Sequence, residues 1–240
     1  MFTWTSSRPL WALAATLVLS GCLDVPGGAP RTVGIARNAP QTIAVADGAV
    51  VIGGPRGYCI DRGGSRLGGD SAFVLLGSCA SISRNAAALA PDFPAVLTAS
   101  VTKDGGTAPP NEAALQQLER YLAGPEGRAV LSRDGQAGSV NILETRRENG
   151  AILIHLRDRS TNTTSGLDDT YWRGLFQLNG RLVTVSVIGL TRQPLSTDTG
   201  LATLRAFLAR IRQQTQPAPA ANAPDVAAVP RKGLLPGLFR

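Results

Sequence analysis

Two Asn-Gly pairs, Asn149-Gly150 and Asn179-Gly180, each sit at the centre of a long run of alternating character. This pair is the strongest short-range hairpin signal, because both central residues of a tight type I′ turn need positive φ. The runs are SVNILETRRENGAILIHLRDRS and TYWRGLFQLNGRLVTVSVIGL. With two-residue turns, the register follows by counting outward. The first hairpin pairs Glu148 with Ala151, Arg146 with Leu153, Glu144 with His155 and Leu143 with Leu156. One of its faces carries Leu143, Ile152, Ile154 and Leu156, the other Glu144, Arg146, His155 and Arg157, so one side is core and the other largely polar. The second hairpin pairs Phe176 with Val183, Gly174 with Val185 and Trp172 with Val187. That face is strongly apolar, and Gly174 leaves room on it for a neighbouring ring.

Upstream, AVVIGG, GYCID, AFVLLGSCAS and AVLTASV are short, apolar and bounded by turn residues, as strands are. Two stretches carry helical periodicity instead. In NEAALQQLERYLAGPEG, Asn111 is placed to cap, Leu115, Leu118 and Leu122 share a face, and Gly124-Pro125 stops the helix. In STDTGLATLRAFLARIRQQ, Ser196 or Asp198 can cap, and Leu201, Leu204, Phe207, Leu208 and Ile211 form the stripe. The expected fold class is α+β: an antiparallel sheet of hairpins with two packed helices, about 111–123 and 197–213, in a globular domain over 48–214.

The chain begins MFTWTSSRPLWALAATLVLSGC. Arg8 is the only charged side chain before Cys22, and the apolar stretch Leu10–Leu19 is broken only by Thr16. A short apolar region after a positive one is the pattern of a secretory signal. It falls short of the roughly 20 apolar residues a spanning helix needs. Leu19-Ser20-Gly21-Cys22 resembles the bacterial lipoprotein lipobox. The resemblance implies a signal peptide over 1–21, cleavage before Cys22, and acylation of that cysteine with palmitate-type chains. It places the chain in the cell envelope, facing the periplasm, with the membrane itself as a partner through the lipid. Leu23, and not Asp, follows the cysteine, which resembles the signal for outer over inner membrane. Residues 22–47 hold Pro26, Gly27, Gly28, Pro30 and Pro40 and read as a lipidated tether. A flexible chain of that length spans about 25–30 Å.

Lipidation of Cys22 leaves two of three cysteines, Cys59 and Cys79, and an even remainder in an oxidising compartment reads as a disulfide. Redox chemistry would favour a Cys-x-x-Cys spacing, and zinc would need more ligands than two Cys and one His supply. The charge of +7 comes from scattered cations, all arginine but Lys103 and Lys232. With no cluster among aromatics, they do not make a nucleic-acid footprint. The Gly-rich DRGGSRLGGD (61–70) precedes a strand and not a helix, and lacks the Lys-Ser/Thr of a nucleotide loop. It reads as a flexible span inside the disulfide loop. No nucleotide or other cofactor is expected.

His155 is the only histidine, so any histidine chemistry uses it. The counted register puts Glu144 beside it, the pairing a general base needs. An envelope hydrolase centred on these two is the alternative to a non-enzymatic interaction module. It lacks a nucleophile, since Ser78, Ser81, Ser139 and Ser186 sit in no Gly-x-Ser-x-Gly elbow. The plainer reading is a solvent-facing cross-strand pair. Asp168-Asp169 with Asn162 and the nearby threonines invites a cation, but the spacing matches no calcium loop, and a turn before a strand is expected.

YWRGLF…GRLVTVSV before the last helix resembles the PsbP-like α/β/α sandwich. GYCIDRGGSR and FVLLGSCASIS are similar to a group of small alphaproteobacterial lipoproteins of unassigned role. After the domain comes a Pro/Ala linker, 215–230, and then RKGLLPGLFR, 231–240. Leu234, Leu235, Leu238 and Phe239 lie there between cations, while Pro236 and Gly237 oppose a helix. An extended segment that docks in a groove is expected, on an envelope protein partner or on its own domain.

Overall fold

Both Asn-Gly pairs turn the chain as their chemistry requires: φ is 50° and 70° at Asn149 and Gly150, and 49° and 70° at Asn179 and Gly180. In a computed structural model that describes residues 39–68, 71–103, 110–160 and 166–215, the elements run in this order. They are β1 (Thr42–Val45), β2 (Val50–Gly53), β3 (Tyr58–Arg66), β4 (Ser71–Ser78), α1 (Cys79–Ser83), β5 (Ala95–Thr102), α2 (Glu112–Ala123) and α3 (Pro125–Leu131). After a 3-10 turn at Ala137–Ser139 come β6 (Val140–Glu148), β7 (Ala151–Asp158), β8 (Leu167–Leu178), β9 (Arg181–Leu190) and α4 (Thr197–Gln214). The class is α+β. Seven strands form one antiparallel sheet, ordered β3-β4-β5-β9-β8-β7-β6, and β1 and β2 form a separate hairpin.

The second long hairpin has the expected register, with Phe176 opposite Val183, Gly174 opposite Val185 and Trp172 opposite Val187. The first holds from Glu148–Ala151 to Glu144–His155, then shifts. Ile142, and not Leu143, faces Leu156. Leu143 is the extra residue of a bulge, and with no partner to cover it, it stands 44% exposed.

Two apolar cores lie on the two faces of the sheet. On one face, Leu76, Leu97, Val101, Val185 and Phe176 pack under Leu204, Phe207 and Ile211 of α4 and Ile52 of β2. On the other, Ile152, Ile154, Leu156 and Leu175 pack under Leu115 and Leu122 of α2 and Leu131 of α3. β5 is buried at every second residue, as a one-sided strand is, whereas β7 is buried almost continuously. The expected division of the first hairpin into a core side and a polar side is therefore corrected. β8 and α4 cover the second side as well, so Ala151 and Leu153 are buried with Ile152 and Ile154.

Several boundaries move. β1 lies inside the stretch expected as tether, and its partner β2 is the first expected strand. Thr215, expected as linker, is buried, and its hydroxyl accepts the Val51 N–H at 2.9 Å. Cys79 opens α1 where a strand was expected to continue. Pro125 ends nothing: it is the first residue of α3, where a missing N–H costs no bond and the fixed φ suits a helix. Among the described residues, four helices thus stand where two were expected. The span 61–70 is strand as far as Arg66, not a flexible loop. No helix among the described residues is long and apolar enough to cross a membrane.

Helix caps follow local chemistry. The Asn111 side chain accepts the Ala114 N–H at 2.8 Å. At α4, Ser196 and not Asp198 caps, its hydroxyl accepting the Thr199 N–H at 3.2 Å.

Candidate functional site

β7 sets His155 between Glu144 on β6 and Trp172 on β8. The imidazole stacks on the indole, with centroids 4.8 Å apart and planes 13° apart. Trp172 is itself buried, and its Nε1 donates to the Thr197 carbonyl at 3.0 Å, at the start of α4. Burial holds the His155 pKa below its ordinary value, and Arg157 adds to this, while Glu144 and Asp168 oppose it. The imidazole makes no hydrogen bond among the described residues. The Glu144 carboxylate accepts instead from Arg146 Nε at 2.5 Å. The register brings His155 and Glu144 together, and Glu144 acts on the imidazole through its charge, with no hydrogen bond between the two side chains.

Two of the four serines, Ser139 and Ser186, are also committed. The Ser139 hydroxyl donates to Asp134 Oδ2 at 2.7 Å, and with the Ser132 hydroxyl, the larger influence, it holds the Asp134 pKa down to about 2. Ser186 Oγ accepts from Arg173 Nε at 3.2 Å. Ser78 ends β4 and Ser81 lies in α1.

The Gly-rich span already holds an anion of its own. Asp61 Oδ1 accepts the N–H groups of Gly63 at 2.9 Å and Gly64 at 3.2 Å, and the Ser65 hydroxyl bridges to Leu75 N. These are the donors a phosphate would need. Asp168 and Asp169 begin β8 and do not form the expected turn. Asp168 accepts the Thr170 N–H, Asp169 accepts the Thr170 hydroxyl at 3.0 Å, and Arg157 lies 3.9 Å from Asp169. Asn162 lies outside the described residues. Among those described, no three His, Cys, Asp or Glu side chains come together as a metal group.

A buried polar cluster went unread in the sequence. Asp158 is fully buried at the end of β7. Its Oδ2 accepts the Arg133 N–H at 3.1 Å, and its Oδ1 accepts the Ser160 N–H at 3.0 Å and the Ser160 hydroxyl. Arg133 Nε stands 3.5 Å away. The guanidinium groups of Arg133 and Arg173 lie over the Tyr171 ring at 4.9 and 5.4 Å. Arg173 Nη1 donates to the Leu131 carbonyl at 2.7 Å, the end of α3. The cluster joins α3 to β7 and β8. Its sequence signal was the period of β7: Asp158 shares a face with Ile152, Ile154 and Leu156, and a carboxylate on a core face needs a buried cation.

Among the described residues, an open concavity lies beside α4. A groove of about 590 Å³ runs between Ala202 and Ala206 on the helix and Pro55, Tyr58, Pro91 and Phe93 opposite. Its continuation, about 290 Å³, shares Pro55, Arg56 and Tyr58 and reaches Leu89 and Arg210. Tyr58 fixes the wall: its hydroxyl donates to the Phe93 carbonyl at 2.8 Å, and burial pushes its pKa up to about 12. Phe93 and Leu89 are left 53% and 48% exposed.

Cys59 and Cys79 form a disulfide that ties the start of β3 to the start of α1. Cys22 and the segment with Leu234, Leu235, Leu238 and Phe239 lie outside the described residues. Compared with known proteins, the chain matches no family model, no curated protein and no solved structure.

Proposed function

We propose that this protein is a lipoprotein of the bacterial cell envelope, anchored through Cys22, facing the periplasm from the outer membrane, and acting as a non-enzymatic interaction module. The observation that carries the proposal is the use of the cysteines. Two of the three close on each other as Cys59–Cys79, a bond that persists in oxidising compartments. The third stands alone behind an apolar run, in Leu19-Ser20-Gly21-Cys22. Buried acyl chains contribute about 0.8 kcal/mol per CH₂, and two or more chains make a stable anchor. The tether then carries the domain above the headgroups. The two longer helices, near 111–123 and 197–213, serve as packed layers that keep the sheet rigid, in the manner of a PsbP-like sandwich. Support for a binding role over hydrolysis comes from the polar groups: Glu144 is committed to Arg146, Asp134 to Ser132 and Ser139, and Asp158 to Arg133.

The test is metabolic labelling with palmitate. The parent chain is expected to take label and to sediment with membranes. Cys22→Ser is expected to take none and to leave the membrane fraction or stay unprocessed. Normal labelling of Cys22→Ser removes the lipoprotein reading.

A further inference from the structure

We infer that the groove beside α4 is occupied in cis by the chain's own C-terminal segment, 231–240. The inference stands apart from lipidation, since it concerns only the domain and its tail.

The groove has the character of a peptide site. Its larger part, between α4 and Pro91-Phe93, is mainly apolar, the continuation past Arg56 and Arg210 is more polar, and the rim carries Leu89 and Phe93, two of the most exposed large apolar side chains among the described residues. They sit on fixed backbone. Tyr58 holds the Phe93 carbonyl, and Gly57, at φ 86°, passes so close to Ala90 and Pro91 that a Cβ there would come within 2.5 Å of the Pro91 nitrogen. On the opposite wall Ala202 and Ala206 are small enough to leave the width of an extended chain. Rigid, exposed apolar surface of this kind marks a binding site.

Chain length and charge choose the occupant. The chain leaves the described body at Thr215, bonded to Val51 on β2. Two residues along the same strand, Gly53 lies against the Arg210 side chain, which lines the near end of the groove. From Arg210 to Asp198 at the far end is about 18 Å along α4. The 15 residues of 216–230 can span up to about 50 Å, well over the length of the helix face, so the tail can reach back along the helix. Tethering makes the contact intramolecular, so no second molecule has to be recruited. The segment brings Leu234, Leu235, Leu238 and Phe239 for the apolar walls, and Pro236-Gly237 keeps it out of a helix. It runs antiparallel to α4, with Arg240 arriving at the groove's two carboxylates, Asp92 and Asp198. Ten extended residues reach about 33 Å, so Arg231 and Lys232 stay outside, clear of Arg56 and Arg210.

The experiment places a benzophenone amino acid at Ala202 in the full-length protein, from whichever cell fraction holds it, with a second position at Ala206 and a control at Val130 on the other face of the sheet. After irradiation, the crosslinked peptide from the monomer band is expected to join the groove to residues 233–240 from both groove positions and from neither when the probe is at Val130. Leu235→Asp with Phe239→Asp is expected to lower that crosslink by at least about tenfold, because ionised carboxylates do not enter an apolar site. A tail crosslink found only in a dimer band would show exchange between copies and overturn binding in cis. Crosslinks only to another envelope protein, or none to 231–240, would overturn it as well.

Discussion

His155 lies flat on Trp172, and Gly200 of α4 meets the edge of the same indole, where an added Cβ would come within 2.9 Å of Trp172 Cδ1. The histidine is thus the outermost plate of a stack that begins inside the core. A ring in that position is partly stripped of water and gains no hydrogen bond in return. Its charged form is disfavoured relative to the unfolded chain.

His155 is expected to titrate below 6.5, its ordinary value, with burial as the main cause. Since it is the only histidine, a single imidazole resonance reports it in an NMR titration. The linkage sign is fixed: between the lowered folded value and the unfolded one, the unfolded chain binds more protons, so stability falls as pH falls. The contribution is complete above the unfolded value and is lost as pH drops through the folded one. His155→Phe, which keeps a ring on Trp172, should flatten the urea midpoint over that window relative to the parent. A midpoint at or above 6.5 in the titration would mean that Glu144 and Asp168 dominate, and the account of the stack would be wrong.

Asp158→Asn is expected to cost on the order of 3 kcal/mol, because it removes one partner of a buried ion pair and leaves the other charged. Arg133 then lies beside Arg173 on the Tyr171 ring without the carboxylate it pairs with. Calorimetry should show a melting point lower by roughly 6–12 °C for a domain of this size. A loss under about 1 kcal/mol would place the pair among solvent-screened surface bridges instead.

Elements whose instructions are local were legible in the sequence. Asn-Gly sets the turn and the turn sets the pairing, so Trp172 and Val187 could be matched by counting. Ser196 and the Leu201–Leu204–Phe207–Ile211 stripe announced α4 in the same way. What failed depended on distant chain. Nothing near residue 155 says that β8 will be its second neighbour, so a stacked ring was read as a polar face. Gly174 was expected to admit a ring, but the space beside it is filled by Leu208, and the glycine that does face a ring is Gly200. Pro125 was read only as a stop, although proline equally starts a helix. β1 was hidden in a Pro- and Gly-rich stretch because its partner lies after the turn at residues 46–49. Arg133 and Asp158 look like any other charges until the fold buries them. The α4 groove joins residues 55–58 and 91–93 to a helix more than a hundred positions on.

Gly200→Ala separates packing from propensity in that stack. Alanine is favoured over glycine inside a helix by about 1 kcal/mol, which alone would stabilise α4. The new methyl, however, meets the edge of an indole that cannot swing away. His155 covers the ring, and its Nε1 is held by the Thr197 carbonyl. Overpacking of this kind costs about 1–3 kcal/mol. The expected sum is a net loss of up to about 2 kcal/mol, read as a lower urea midpoint with an unchanged slope. The loss should shrink in a His155→Ala background, where the indole is free to shift, and the difference is a coupling energy between residues that do not touch each other directly. If Gly200→Ala raises the midpoint instead, the ring yields to the methyl, and the contact between α4 and Trp172 is softer than its geometry implies.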